Sequence, residues 1–412
     1  MTVLPQDYLR TLDAVRERCM KVYEQAIKGQ LHHFDVDETK LDIVVEHVLE
    51  VTLRQYPDVS QIPAHSRLRH FDAQPLLDKW RNDGIDKVEQ ARRLIDLVIV
   101  SVLVDAGAGQ VWKYQTSKGP VGRSEGLAIA ATDMFQEGYF SSVPGQPEQV
   151  DAQALSEITV DRMTKGFQVT PINTMVGLEG RSKLLQRLGD VLKDQRDYFP
   201  ASEGQSRRPG NLVDYLLPNL QDNKVHLDKL WEVVMGLAAM WPGRLAINGV
   251  QLGDVWPCDC LKDQGNFENL VPFHKLSQWL TYSLVEALET TLGITVEGTE
   301  KLTGLPEYRN GGILIDHGLM VLKPADVKRG TVEGEPVPVF EGSDPAIVEW
   351  RALTVIYMDI IRKELEIKLG RPLALAQVLQ GGTWSAGRDI AAKLRPDTAG
   401  PPINLKSDGT IF

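Results

Sequence analysis

The sequence predicts a mainly α, multi-helical fold with a small antiparallel β element. Apolar residues recur at three- and four-residue spacing along most of the chain, which is the period of an amphipathic helix. Strand-like patterns are scarce, and they do not alternate with helices as they do in a parallel α/β sheet. The spacing predicts helices over 5–28, 38–55, 86–106, 124–137, 151–165, 181–197, 225–240, 272–292 and 345–369.

Residues typical of helix ends support several of these helices. Ser124 and Ser182, each with Glu or Gln in the following turn, predict helix N-termini. Asp344, followed directly by proline, predicts the start of the last long helix. Gly370, with a proline two residues later, predicts its end.

A few short segments read as strands or turns instead. The stretch 245–255 predicts a β-hairpin, because an Asn-Gly pair at 248–249 separates two short apolar segments. The Asn-Gly-Gly run at 310–312 predicts a flexible turn. Weaker strand patterns occur at 294–298 and 318–323.

Two Gly/Pro-rich loops, 140–149 and 199–211, interrupt the helical pattern and suggest a division of the chain. We expect an N-terminal helical region over 1–200 and a C-terminal helical region over 201–412. One intimate helical domain is the alternative.

Composition limits the functional classes. The chain has 412 residues, 42% hydrophobic and 25% charged, with a net charge of −11. That charge disfavours nucleic acid and anionic membranes as partners, so we expect a small, nucleotide-like ligand. We expect a cytoplasmic protein for three reasons. The chain has only three cysteines, and its charged N-terminus lacks an apolar core. The apolar run at 94–109 is too short to span a bilayer.

The segment 240–351 holds charged residues and tryptophans within apolar or Gly/Pro-punctuated stretches. A few polar groups converging among apolar walls are what a pocket for a polar ring-containing molecule needs. Most tryptophans belong to cores, but one or two of these are candidates for stacking on a ligand. The tryptophans are Trp241, Trp256, Trp279 and Trp350.

The common nucleotide, metalloprotease, hydrolase and redox motifs are absent from the sequence. Cys258 and Cys260 with Asp259, and His274 further on, are an alternative zinc cluster. Two cysteines one residue apart point to opposite sides of an extended chain, so we predict neither a metal nor a cofactor.

Two carboxylates near the Gly-rich turn are candidates for catalysis. Glu307 precedes Tyr308-Arg309, and Asp316 follows an apolar Ile-Leu-Ile run. Burial disfavours the charged form of a carboxyl group, which suits a general acid or base. The structural alternative is that either residue caps a helix or pairs with Arg309.

Other charged residues are candidates for binding. Glu349 and Arg351 flank Trp350 in an apolar helix, where charges are usually paired or bound to a ligand. His274 and Lys275 open a helix at the end where its dipole favours anions. A second basic segment, HSRLRHF, places Arg69 as a further candidate phosphate contact.

Three segments, GDVWPCDC (253–260), VPFHKLSQWLTYSL and LPEYRNGG, resemble the uracil-catabolism protein 4 family of fungi and bacteria. The resemblance covers essentially the whole chain. It implies a route of uracil degradation in which the pyrimidine ring is opened while attached to ribose phosphate, and urea is released.

The chain is also distantly similar to the queuosine-salvage glycosidases, which cleave a base from ribose 5-phosphate. That family is mostly helical and resembles helix-hairpin-helix DNA glycosylases. Its Tyr-Lys-Arg-Ala-Gln, Asp-Tyr-Arg and Val-Glu-Ile-Arg segments correspond in order to 273–278, 307–309 and 348–351. Glu307 replaces the Asp, and His274-Lys275-Leu276 replaces Tyr-Lys-Arg, which fits a changed leaving group.

These resemblances imply hydrolysis of an N-ribosidic bond, with ribosylurea phosphate giving urea and ribose 5-phosphate. Glu307 is the expected catalytic carboxylate, with Asp316 as its rival. The expected binding residues are Asp259, Trp256, His274, Lys275, Arg309, Glu349, Trp350, Arg351 and Arg69. The alternatives are a transferase or lyase acting on a ribosyl phosphate, and a non-catalytic helical binding protein.

Overall fold

The computed structural model describes residues 4–240 and 245–406, and helices dominate these ranges. The mainly α prediction is therefore confirmed. The α-helices are α1 Pro5–Tyr8, α2 Leu12–Ile27, α3 Leu41–Gln55, α4 Gln74–Asn82, α5 Lys87–Leu103, α6 Arg123–Gln136, α7 Ala152–Ser156, α8 Val160–Gly166, α9 Leu178–Asp194, α10 Leu212–Leu216, α11 Leu227–Gly236, α12 Lys275–Leu292, α13 Tyr308–Asp316, α14 Pro324–Gly330, α15 Pro345–Leu369, α16 Leu375–Val378 and α17 Trp384–Leu394.

The strands are short and form two-stranded pairs within the described ranges. Antiparallel pairs are β1 with β10, β2 with β3, β5 with β6 and β7 with β8, whereas β4 with β9 and β11 with β12 are parallel. The strands are β1 Phe34–Val36, β2 Tyr114–Thr116, β3 Gly119–Val121, β4 Lys224–His226, β5 Ala246–Ile247, β6 Val250–Gln251, β7 Val255–Pro257, β8 Leu270–Pro272, β9 Thr295–Glu297, β10 Met320–Leu322, β11 Val339–Glu341 and β12 Asn404–Lys406.

Residue contacts divide the chain into two units. The described residues of unit 1 are 4–65, 245–278 and 300–406, and those of unit 2 are 66–240 and 279–299. A core of unit 1 lies between α2 and α15, where Val15, Cys19 and Val22 are fully buried. In unit 2 the apolar helix α5 is buried from Leu94 to Leu103. The division at residue 200 stays a prediction.

The ends of α15 follow the sequence prediction. The Asp344 carboxylate accepts a hydrogen bond from the Ala346 N–H at 3.0 Å, and Gly370 ends the helix with φ of 64°. The hairpin at β5 and β6 is also confirmed, since Asn248 and Gly249 both have positive φ, as an Asn-Gly turn requires.

Three local predictions are wrong. Ser124 lies inside α6, whose N-cap is Gly122, and Ser182 is buried inside α9, which begins four residues earlier. The turn predicted at 310–312 is part of α13 instead. Close packing explains Gly311, because a Cβ there would lie 2.6 Å from Trp350 Nε1.

Candidate active site

Two histidines and three carboxylates meet in unit 1, and we call this group the His–Asp centre. Nε2 of His33 lies 3.0 Å from one oxygen of Asp259, and Nδ1 of His32 lies 3.3 Å from the other. Nδ1 of His33 lies 3.1 Å from Asp326. Glu349 completes the group, with a carboxylate oxygen within 4.8 Å of His33 and Asp259 ligand atoms.

Glu349 holds the histidine segment in place. It projects from α15 and is fully buried. Its two oxygens accept the backbone N–H groups of His32 and His33 at 2.8 and 2.9 Å. Burial raises the pKa of the Glu349 carboxyl although these N–H groups favour its charged form. A carboxylate in that setting keeps the two imidazoles beside Asp259.

The centre has two solvent-facing members, because the side chain of His32 is 52% exposed. The side chain of Asp259 is 43% exposed, whereas that of His33 is 14% exposed and that of Asp326 is 9% exposed. Burial alone lowers the pKa of the His33 imidazole, but hydrogen bonds to Asp259 and Asp326 and the charge of Glu349 outweigh it and raise the pKa. A substrate or water molecule can therefore reach Asp259 and His32, whereas His33 and Asp326 are largely covered.

A second polar group in unit 1 is organised by Asp254, and we call it the Asp254 group. The carboxylate accepts two hydrogen bonds from Arg351, at 2.9 and 2.7 Å. It also accepts the Trp256 indole N–H at 2.6 Å and the backbone N–H of Lys275 at 3.0 Å. Three residues predicted to bind substrate are thus brought together by a carboxylate that the sequence reasoning did not single out.

Two other predicted binding residues are buried in the interior of unit 1. His274 has positive φ directly before α12, and its Nε2 lies 2.8 Å from the Leu9 carbonyl oxygen. Burial lowers the pKa of its imidazole. The Trp350 indole N–H donates to the Gly311 carbonyl at 2.9 Å. Both contacts are those of core residues.

The two predicted catalytic carboxylates have structural partners. Glu307 is the N-cap of α13, and its side chain accepts the Asn310 N–H at 2.8 Å. Both oxygens of Asp316 accept hydrogen bonds from Arg395, at 2.8 and 2.6 Å. Arg309, which is buried, lies over the Trp384 ring at 4.4 Å. Their catalytic and binding roles stay predictions.

The remaining predicted residues fall elsewhere. Arg69 belongs to unit 2, where it forms an ion pair with Glu286. Trp279 is also in unit 2, with its ring nearly perpendicular to that of His70. Trp241 lies outside the described residues.

The alternative zinc cluster of the two cysteines and His274 does not form in unit 1. The Cys258 and Cys260 sulfurs are 3.4 Å apart, but the His274 ring faces Leu9. Interaction with Cys258, together with burial, raises the pKa of the Cys260 thiol. The Cys260 thiol is therefore protonated near neutrality.

Unit 2 contains a polar cavity of about 1060 Å³ that includes none of the predicted site residues. Arg92, Arg208 and Glu89 line it. Arg92 is paired with Asp214, and Arg208 with Glu89 and Asp96. Because these guanidinium groups already have carboxylate partners, the cavity is a weaker candidate for anion binding than its size implies.

The chain belongs to the family described as protein of unknown function (DUF1688), whose model matches residues 8–412. This membership, together with the two relatives described next, confirms the resemblance to the uracil-catabolism protein 4 family.

Two curated relatives are similar over nearly their whole length. Uracil catabolism protein 4 of Lachancea kluyveri is 41% identical, with 99% of each chain covered. Protein urg3 of Schizosaccharomyces pombe is 40% identical, with 98% of each chain covered.

Proposed function

We propose that this protein takes part in uracil catabolism by hydrolysing the N-ribosidic bond of a 5-phosphorylated pyrimidine breakdown product. The substrate we propose is ribosylurea phosphate. Water adds to the anomeric carbon as the carbon–nitrogen bond breaks, and the departing nitrogen takes up a proton. The products are urea and ribose 5-phosphate.

The observation that carries the proposal is the His–Asp centre, in which solvent-facing Asp259 lies between two imidazoles. Cleavage of an N-ribosidic bond needs a group that activates water and a carboxylate that stabilises an oxocarbenium-like sugar. The His–Asp centre offers the group that activates water. The name of the Lachancea kluyveri relative supports the pathway.

For the second role we propose Glu307. Glu307 caps the N-terminus of α13, and a cationic transition state needs a carboxylate beside it. Arg395 engages both oxygens of the rival Asp316, which favours Glu307 of the two. Arg351 and Lys275 remain our proposed contacts for the ribose and its phosphate.

The test is to incubate the purified protein with ribosylurea 5-phosphate and to measure urea and ribose 5-phosphate in parallel. We expect both products in equal amounts. Glu307→Gln, which can still cap α13 through its amide oxygen, should lower kcat by at least roughly 100-fold. Glu333→Gln removes the charge of an exposed glutamate and is the matched control, with wild-type turnover expected.

Absence of urea from the wild-type reaction would contradict the proposal. Product formation that requires added pyrophosphate would favour the transferase alternative. Equal turnover by Glu307→Gln and the wild type would show that Glu307 is not catalytic, without contradicting the proposed reaction.

A further inference from the structure

We propose that His32, His33, Asp259 and Glu349 bind a divalent first-row transition-metal ion such as Zn²⁺ or Mn²⁺. A ring nitrogen of His33 and one carboxylate oxygen each of Asp259 and Glu349 lie within 4.8 Å of one another. His32 adds a nitrogen 3.3 Å from Asp259. These residues come from three segments far apart in the chain, so tertiary folding brings them together.

The spacing of the donor atoms suits a metal shell. Metal bonds of about 2.0–2.2 Å to nitrogen and oxygen place neighbouring donor atoms roughly 3 Å apart. The observed separations of 3.0 Å from His33 to Asp259 and 3.3 Å from His32 to Asp259 match that spacing. Asp259 is the most exposed carboxylate of the centre, so an ion can enter from solvent.

A supporting carboxylate lies behind His33, as in many metal sites. Asp326 lies 3.1 Å from Nδ1 of His33 and is itself held by Arg329 at 2.8 Å. Histidines that bind metals usually donate their other ring N–H to such a carboxylate, which fixes the tautomer. With Nδ1–H directed at Asp326, the lone pair of Nε2 is directed towards Asp259.

The charge balance of the centre also favours a cation. Asp259, Asp326 and Glu349 place three carboxylates around two imidazoles, and Arg329 is shared with a fourth carboxylate, Asp344. The three carboxylates outnumber the single guanidinium group paired with them, and Glu349 is fully buried. A divalent ion would offset the charge of these carboxylates.

The types of ligand atom in the centre limit which metal ions it is expected to bind. Two imidazoles with carboxylates favour zinc, manganese, iron or nickel, whereas magnesium and calcium prefer all-oxygen sites. An ion here would lower the pKa of a bound water molecule. That role in the reaction rests on the proposed function, but binding of the ion does not.

The test is calorimetric titration of ZnCl₂ and MnCl₂ into the full-length protein after treatment with a chelator, with elemental analysis of the loaded protein. We expect one ion per chain. Asp259→Asn, which changes an exposed side chain, should weaken binding at least tenfold, and Asp326→Asn should weaken it about 10–100-fold. The control His226→Ala removes an exposed histidine that also pairs with an aspartate, Asp228, and should leave binding unchanged.

A folded wild-type protein that binds neither ion would overturn the inference and would favour a protonated His33 between two carboxylates. Binding that survives Asp259→Asn unchanged would also overturn it, because the ion would then lie elsewhere. Metal binding without urea release contradicts only the proposed function. Urea release by protein that binds neither ion contradicts only the metal site.

Discussion

Asp254 holds together three of the nine predicted binding residues, which are Arg351, Trp256 and Lys275. Arg351 is 3% exposed, and its guanidinium lies over the Phe273 ring at 4.1 Å. A charge buried to that extent depends on its counter-ion and hydrogen bonds. Asp254 supplies both to Arg351, and the same carboxylate fixes Trp256 and the start of α12.

We therefore predict that Asp254→Ala lowers the free energy of unfolding by about 3–5 kcal/mol, because it removes the carboxylate that accepts two hydrogen bonds from buried Arg351. Urea denaturation followed by circular dichroism measures the loss. The control is Glu341→Ala, which breaks an exposed pair with Lys406 in the same unit and should cost less than about 1 kcal/mol. Equal losses in the two variants would show that Asp254 does not stabilise Arg351.

Residue chemistry revealed only part of the candidate site. Asp259 and Glu349 were identifiable as charges within apolar or turn-rich segments. His32 and His33 were not, because they lie more than 200 residues from Asp259 and contact it only after folding. An adjacent histidine pair in a chain with only eight histidines was the available signal.

At the scale of elements, α15 organises both polar groups of unit 1. Successive residues of a helix point about 100° apart, so neighbours contact different partners. Glu349 meets the histidine segment, Trp350 meets α13, and Arg351 meets Asp254. This helix was predicted at both ends because its caps are local. Its three contacts were not, since each partner is distant in sequence.

The helix α13 was missed because its two glycines oppose helix formation by about 1 kcal/mol each relative to alanine. Tertiary packing outweighs that cost. Gly311 lies against α15, where an added Cβ would be 2.6 Å from Trp350 Nε1 and 2.7 Å from Thr354 Oγ1. An added Cβ at Gly312 would approach Pro402 no closer than 3.1 Å.

This difference leads to a paired prediction. Gly311→Ala should destabilise the protein by about 1–3 kcal/mol, because the methyl group forces α13 and α15 apart. Gly312→Ala makes the same chemical change one residue later and should cost clearly less. Urea denaturation of both variants measures the difference, and equal free energies would show that the contact with Trp350 does not require a glycine.

At the scale of the whole molecule, periodicity was sufficient for the fold class but not for the arrangement of the chain. Spacing of apolar residues is local information, and it predicted nine helical segments that the structure contains, some of them divided or shifted. Unit 1 combines three segments of the chain. Contacts between segments so far apart in the chain do not produce a periodic pattern in the sequence. Among the described residues, the helices include none long and apolar enough to cross a bilayer.

The ionisation of Asp96, a carboxylate inside the apolar helix α5, should contribute to the pH dependence of the free energy of unfolding. Asp96 is fully buried and accepts the N–H groups of Val150 and Gly210 at 3.0 and 2.7 Å. Burial raises its pKa from 3.8 to about 6, although Arg208 at 2.8 Å favours the charged form. The folded protein thus keeps a proton between these values that the unfolded chain has released.

Because the pKa of Asp96 is higher in the folded protein than in the unfolded chain, its contribution to the free energy of unfolding is largest below the unfolded-state pKa of 3.8. That contribution is lost progressively as the pH rises to about 6. Asp96→Asn abolishes this titration. The variant should therefore lose roughly 2 kcal/mol more stability relative to wild type at about pH 4.5 than at about pH 7. Urea denaturation at both pH values measures it, with exposed Asp83→Asn as the control whose effect should not change. A loss from Asp96→Asn that is equal at both pH values would mean that Arg208 keeps Asp96 ionised in the folded protein throughout this range.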